Sequence, residues 1–319
     1  MNISATDIKE IRELTGAGML DCKKALVENE GEKDKAIDWL RQKGLSKAAK
    51  KAGRIAAEGS VSSFINDDGK VGVLLEVNCE TDFVAKNDDF KIFVTKLSKH
   101  IAETDACGNT PKWVEGTTIL NQQLSSDKSI TLQDFVTNAV AKIGENIVIR
   151  RFARFELSEN NGLVHAYIHG EGRIGVLMEV STSTPEAAKS DDTQDFVKDI
   201  SMHIAAMGPE YISMDEITDE AKEAETAVLK AKAIDEGKKP EFLDKILVGQ
   251  IKKWAAGVCL LEQPFVKNPD LTVGEITNQT AKKLGAEFSI KRFTRFELGE
   301  GIEKKVDNFA EEVASMTKN

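Results

Sequence analysis

The stretch Gly72-Val73-Leu74-Leu75-Glu76-Val77 recurs, 103 residues on, as Gly175-Val176-Leu177-Met178-Glu179-Val180. The same offset aligns Phe93-Val94 with Phe196-Val197, and Ser98-Lys99-His100-Ile101-Ala102 with Ser201-Met202-His203-Ile204-Ala205. A register kept from an apolar run into the following helix marks a tandem duplication. Further along, Ile149-Arg150-Arg151-Phe152-Ala153-Arg154-Phe155-Glu156-Leu157 matches Ile290-Lys291-Arg292-Phe293-Thr294-Arg295-Phe296-Glu297-Leu298 at an offset of 141. About 38 residues are therefore inserted inside the second copy. Each copy has one order: a hairpin with β-branched alternation, a helix, further helical sequence, then a strand with the Arg-Phe pattern. Asp67-Asp68-Gly69 and Gly170-Glu171-Gly172 supply the hairpin turns. A sheet with segregated helices, twice over, predicts an α+β fold, with copy one at 55–157 and copy two at 158–300.

Within the insert, Ala224, Ala227, Val228, Ala231 and Ile234 make one apolar stripe at helical spacing. Leu243, Leu247, Ile251, Trp254 and Val258 make a second. Gly237 ends the first helix, and Pro240 suits the first turn of the next. The segment at about 219–257 is expected to project as an antiparallel helical hairpin, a candidate surface for self-association. Ahead of the duplication, residues 1–54 read as a three-helix head and a linker. Ser4 with Asp7 makes a capping box before Ile8, Ile11 and Leu14. Gly16-Ala17-Gly18 stops that helix, Met19 to Val27 restarts it, and Gly31 stops it again. Ala36, Ile37 and Leu40 mark a third helix ending before Gly44, and Lys47 to Gly53 is an Ala/Lys linker.

A chain of 319 residues has room for two or three such units. With 41% hydrophobic and 30% charged residues it can bury a core. No apolar run approaches the roughly 20 residues of a membrane span, and Met1-Asn2-Ile3-Ser4 begins neither a basic nor an apolar leader. Cys22, Cys79, Cys107 and Cys259 lie far apart, without the paired spacing of a zinc site, and read as reduced thiols. A cytoplasmic protein without membrane contact, metal or cofactor is expected. The net charge of −10 argues against a dedicated nucleic-acid binder, which needs a basic footprint. That charge is uneven. Residues 1–54 hold 12 Lys/Arg against 9 Asp/Glu, and the remainder 31 against 44. A slightly basic head on an acidic body fits a protein partner with its own charge pattern.

The functional signal lies where the two copies disagree. Copy one ends its strand Asn78-Cys79-Glu80-Thr81-Asp82-Phe83-Val84-Ala85-Lys86-Asn87, and copy two reads Ser181-Thr182-Ser183-Thr184-Pro185-Glu186-Ala187-Ala188-Lys189-Ser190. The flanking Thr, the Ala-Lys pair and the following Asp-Asp persist, while Asp82-Phe83 has become Pro185-Glu186. A scaffold kept under a changed tip is expected if one tip does a specific job. The competing reading makes Phe83 a core residue whose loss was compensated in copy two. A Phe beside an Asp at a strand-to-helix turn is hard to bury, which weighs against it.

Thr15-Gly16-Ala17-Gly18-Met19-Leu20-Asp21-Cys22-Lys23-Lys24-Ala25-Leu26 resembles the first signature of the elongation factor Ts family. The segment from Glu76 to Asn87 resembles its second. Ile143-Gly144-Glu145-Asn146, His169-Gly170 and Gln263-Pro264-Phe265-Val266 are also similar. The resemblance runs end to end, and no residue of the tip departs from it. It implies a ubiquitin-associated-like head, a duplicated α+β core, a protruding helical hairpin and a C-terminal helical module at 301–319. It implies no enzymatic chemistry, but exchange of GDP on elongation factor Tu, with Thr81, Asp82, Phe83 and Val84 intruding beside that GTPase's magnesium site. The head and C-terminal helix would grip the nucleotide-binding domain, and His169 and the second half of the core would meet another domain. Arg12, Met19, Lys23 and Val266 fall in matching regions and are carried as further partner-binding residues.

Other signals are weaker. Gly16-Ala17-Gly18 with Lys23-Lys24 follows a helix and lacks the spacing of a phosphate loop. His165 and His169 share a strand face, yet no third metal ligand is spaced with them. His100 and His203 are repeat equivalents, which points to packing in both copies. Arg150, Phe152 and Arg154 resemble an RNA-binding strand without its glycine. A ubiquitin or general adaptor using only the head, and an RNA binder using the Arg-Phe strands, stand as rival functions.

Overall fold

The computed structural model describes residues 3–15, 17–104, 108–110, 112–157, 161–239 and 242–303. Three helices come first: α1 (Ala5–Thr15), α2 (Met19–Glu28) and α3 (Lys33–Ala49). The Ser4 hydroxyl donates to the Asp7 carboxylate and accepts the Asp7 amide, as a cap should. Ile11, Cys22, Leu26, Ala36 and Leu40 close a small core. The third helix does not end before Gly44, as the sequence suggested, but runs to Ala49, so the first three residues of the expected linker are helical. The reason is tertiary. Gly44 lies inside the helix and faces a second helix, where an added Cβ would make only an ordinary contact with that of Ala141 at 3.6 Å, so it is not a stop. Arg41 bonds Asp134 of that same helix at 3.0 Å.

The first repeat comprises β1 (Glu58–Ile65), β2 (Val71–Cys79), α4 (Asp82–Ala85), α5 (Asp88–Glu103), β3 (Val114–Glu115), β4 (Gln123–Leu124), β5 (Asp127–Thr131), α6 (Leu132–Ile143) and β6 (Val148–Glu156). The second comprises β7 (Gly162–His169), β8 (Ile174–Thr182), α7 (Pro185–Lys189), α8 (Asp191–Met207), α9 (Asp219–Asp235), α10 (Leu243–Val258), β9 (Pro264–Phe265), β10 (Asn268–Thr272), α11 (Val273–Leu284) and β11 (Phe288–Glu297). The fold is α+β with antiparallel sheets, in the orders β1-β2-β6-β3 and β11-β8-β7. Both carry the same bulge. Glu76 pairs with Arg151 and Val77 with Ile149, skipping Arg150; Glu179 pairs with Arg292 and Val180 with Ile290, skipping Lys291.

The two sheets pack face to face. Val61, Leu74, Phe155, Val164, Leu177 and Phe296 fill the space between them. On the outer face of the first, Val73, Leu75 and Val77 meet Phe90, Leu97 and Val136 from α5 and α6. On the second, Val176, Met178 and Val180 meet Phe196, Ile200 and Val273 from α8 and α11. Burial on both faces explains why the repeated hexapeptide is an unbroken apolar run and not an alternating one. It also explains its leading glycine. A Cβ on Gly72 would come within 2.5 Å of Val164 Cγ1, and one on Gly175 within 2.5 Å of Val61 Cγ1.

In the inserted hairpin the first expected stripe is not the packed one. Ala224, Ala227, Val228, Ala231 and Ile234 form an exposed face of α9, with Val228 at 61% and Ile234 at 53%. The packed face instead carries Ala221, Leu229 and Ala233. The second stripe fares better, with Leu243 and Leu247 buried and Ile251, Trp254 and Val258 partly so. An alanine-rich helix offers two apolar sides, and which one is covered depends on its neighbour. The hairpin base is tied to the body by Ile217, Ala255 and Cys259 packed with Tyr211, Met214 and Trp254. Pro240 and the segment beyond residue 303, including most of the expected C-terminal module, lie outside the described residues.

Both repeats bury a histidine on a glutamine. His100 Nε2 lies 3.1 Å from Gln122 Oε1 and His203 Nε2 2.9 Å from Gln263 Oε1. Each Nδ1 accepts a backbone amide, from Ser125 and Val266, so each ring is neutral with its proton on Nε2. Burial pushes both rings, and that of His165, below the usual histidine range. The unfolded chain therefore binds more protons as pH drops below about 6.5, and stability falls with it. A melting series from about pH 7.5 to 5 should show a declining Tm through that window. A flat profile would overturn the buried neutral pairs.

Candidate functional site

β2 delivers the chain to a short, well-braced turn. Cys79, fully buried, donates through Sγ to the Thr81 carbonyl at 3.2 Å. Burial pushes this thiol up to about 12, so it is a protonated structural donor and no nucleophile. Thr81 caps α4, its hydroxyl accepting the Val84 amide at 3.4 Å. Val84 packs partly against the first core. Asp82 is half exposed and pairs with Lys86 one turn on at 2.8 Å. The Lys86 hydrogen bond holds its carboxyl below the usual range. Phe83 is 81% exposed. The reading of Phe83 as a core residue does not survive that number. Thr81 and Val84 anchor the turn, while Asp82 and Phe83 stand out from it.

The second copy keeps the frame without the apex. Thr182 Oγ1 donates to the Thr184 carbonyl at 2.7 Å, in the place of the Cys79 contact. Thr184 caps α7 by accepting the Ala187 amide at 3.2 Å. Pro185 and Glu186 occupy the positions of Asp82 and Phe83.

Beneath the first tip lies Glu145, which the sequence marked only as part of a matching segment and to which it gave no role. The Glu145 carboxylate accepts the amides of Glu80 and Thr81, each at 3.0 Å, and the Thr81 hydroxyl at 2.7 Å. The Glu80 carboxylate in turn accepts the Asn146 amide at 2.7 Å. The signal was available: at the offset of 141, Glu145 stands opposite Ala286, a disagreement of the same kind as Asp82-Phe83 against Pro185-Glu186.

Asp82 and Lys86 line a cleft of about 530 Å³ whose other wall is the β7–β8 turn, with Gly170, Glu171 and Arg173. His169 ends β7, exposed, its Nδ1 2.9 Å from the Tyr167 hydroxyl. The tip and the turn after His169 thus flank one opening. The head residues sit elsewhere. Arg12 lines a separate hollow with Asp21, Lys47 and Lys142. Met19 is 59% exposed and shares a helix face with exposed Lys23. Leu14, which the sequence placed in the apolar series of the first helix, is exposed, as are Leu20 and Val27 on the same head, and none of the three had been assigned a partner-binding role. Val266, exposed at 46%, follows β9. The Arg-Phe strands are spoken for: Arg151 bonds Glu76 and Arg292 bonds Glu179, both at 2.6 Å. Among the described residues, no group of three or more His, Cys, Asp or Glu could hold a metal ion, and no helix is long and apolar enough to cross a membrane.

Comparison with known proteins bears on the whole chain. A family profile described as Elongation factor TS matches residues 80–300. Elongation factor Ts of Bdellovibrio bacteriovorus is 48% identical over 318 residues, covering 100% of this chain and 99% of that protein. Elongation factor Ts of Symbiobacterium thermophilum is 48% identical over 313 residues, covering 98% and 97%. That of Clostridioides difficile is 48% identical over 317 residues, covering 99% of each.

Proposed function

The chain belongs to the elongation factor Ts family, translation elongation factors, and from that membership we propose that it is the guanine-nucleotide exchange factor of elongation factor Tu. It binds the GDP-bound GTPase, disturbs the magnesium and phosphate site, and releases GDP so that GTP can rebind. The observation that carries this reading is the exposed Asp82-Phe83 apex on a turn braced from below. A GTPase holds GDP through backbone donors around the phosphates and a magnesium ion. A wedge that shifts those groups loosens the nucleotide without touching it. A factor that binds the empty GTPase tightly must, by linkage, weaken the nucleotide by the same factor. The chain needs no acid, base or nucleophile of its own for this, and no cofactor.

In the same reading Thr81 and Val84 hold the wedge. Arg12, Met19 and Lys23 of the head, with the C-terminal segment, meet the nucleotide-binding domain, and His169 and Val266 meet another. The work is done in the cytoplasm, without direct nucleic acid or membrane contact, and the exposed α9 face makes the hairpin a surface for self-association. The test is release of fluorescent GDP from elongation factor Tu in stopped flow. Release should accelerate with added protein until it saturates, with no nucleotide hydrolysed by the protein alone. Release unchanged at saturating protein would end the assignment.

A further inference from the structure

We propose that Glu145 is a positioning residue for exchange: its carboxylate sets the direction in which the Asp82-Phe83 apex meets the partner GTPase. The proposal rests on the exchange-factor reading and names the residue that aims its wedge. Three donors converge on this side chain, two amides on Oε2 and the Thr81 hydroxyl on Oε1. A carboxylate accepts on both oxygens and presents no competing donor. The Thr81 hydroxyl has one proton, and giving it to Glu145 turns a lone pair toward the Val84 amide. Glu145 thereby fixes the Thr81 side chain and the exit direction of α4. That helix has only four residues and cannot hold its own course. Phe83 is its second residue.

The brace is reciprocal. Asn146 donates its amide to the Glu80 carboxylate and its side chain to the Arg54 carbonyl at 2.8 Å, and Lys51 donates to the Gly144 carbonyl. The end of β2, the α6–β6 loop and the segment behind the head meet at one node. The second repeat serves as the control. There Ala286 stands in place of Glu145, and the strand end is joined to the neighbouring loop through the Ser183 amide to the Glu287 carbonyl and the Glu287 amide to Ser183 Oγ, each at 3.1 Å. The fold of this corner therefore does not require the carboxylate. Of the two copies, it is the one whose apex carries Asp and Phe that has the carboxylate beneath it.

The experiment uses the full chain with Glu145→Ala and Glu145→Gln, each also combined with Phe83→Ala. GDP release from elongation factor Tu is read at saturating factor, and amide hydrogen exchange is read at Glu80 and Thr81. Glu145→Ala should lower the limiting release rate about tenfold or more, as a misaimed group does. The two amides should lose protection. Glu145→Gln keeps an accepting oxygen and should lose about threefold. In the Phe83→Ala background the further loss should be under about twofold, because the effect passes through the ring. A full limiting rate in Glu145→Ala, or the same fold-loss in both backgrounds, would overturn the proposal. Should Glu145→Ala fail to fold, Glu145→Gln carries the same comparison. If the unsubstituted protein releases no GDP, the exchange reading falls, and unchanged amide protection in the variants would overturn the brace separately.

Discussion

Phe83→Ala is expected to weaken the complex with elongation factor Tu about thirtyfold or more while leaving the melting temperature almost unchanged. The ring is 81% exposed in the free chain, so truncating it removes little buried contact. Surface substitutions of this kind stay within about 0.5 kcal/mol of folding stability. In a complex, by contrast, an aromatic apex that becomes buried is the sort of anchor whose loss costs about 2 kcal/mol or more. Asp82→Ala should weaken exchange less, because a carboxylate already paired with Lys86 at the rim tunes orientation and local charge. A core phenylalanine would give the opposite pattern, roughly 3–5 kcal/mol of stability lost and exchange preserved in whatever remains folded. Tm and GDP release measured on one sample separate the two. A cooperative, undisturbed protein that exchanges nucleotide at full rate and affinity would remove Phe83 from the interface.

Glu76→Ala should be the most destabilising single change at the joint between the repeats, at about 3–5 kcal/mol. Glu76 is fully buried. One carboxylate oxygen accepts Arg150 Nη1 and the Gly299 amide, each at 2.8 Å, and the other accepts Arg151 Nε at 2.6 Å. Arg151 is itself buried, its guanidinium 4.5 Å over the Phe296 ring and 2.9 Å from the Glu300 carboxylate. Without Glu76 a buried cation keeps only the half-exposed Glu300 carboxylate and the Glu297 carbonyl, and a backbone amide loses its acceptor. The Tm should drop on the order of 10 °C for a chain of this size. Glu179→Ala should cost less, since Arg292 is more exposed and also donates to the carbonyls of Thr110 and Glu156. Urea unfolding of the two variants ranks them. A Glu76→Ala loss below about 1 kcal/mol would mean that water reaches the site and that the knot is not a joint.

Much of this protein is legible in one dimension because it is written twice. Offsets of 103 and 141 reveal the duplication, the insert, the α+β order and the tip where the copies part, all without coordinates. The side-chain cap at Ser4, the turns at Gly69 and Gly172, and the helix restarts in the head are local, and local chemistry specifies them. Periodicity states which residues are apolar. It does not state what will cover them. Gly44 reads as a stop until Ala141 stands opposite it, and the α9 stripe reads as core until α10 packs on the other side. The glycines heading the repeats have no evident role until the two sheets close on each other. Glu145 acts across 64 residues on Thr81, and Glu76 across 223 on Gly299; no local window of sequence shows these contacts, and only the disagreement between Glu145 and Ala286 hints at the first. The sequence by itself determined the order of elements and the apex that differs. Only the tertiary structure decided which faces meet and what braces that apex, because burial and buried hydrogen bonds are properties of pairs brought together by folding.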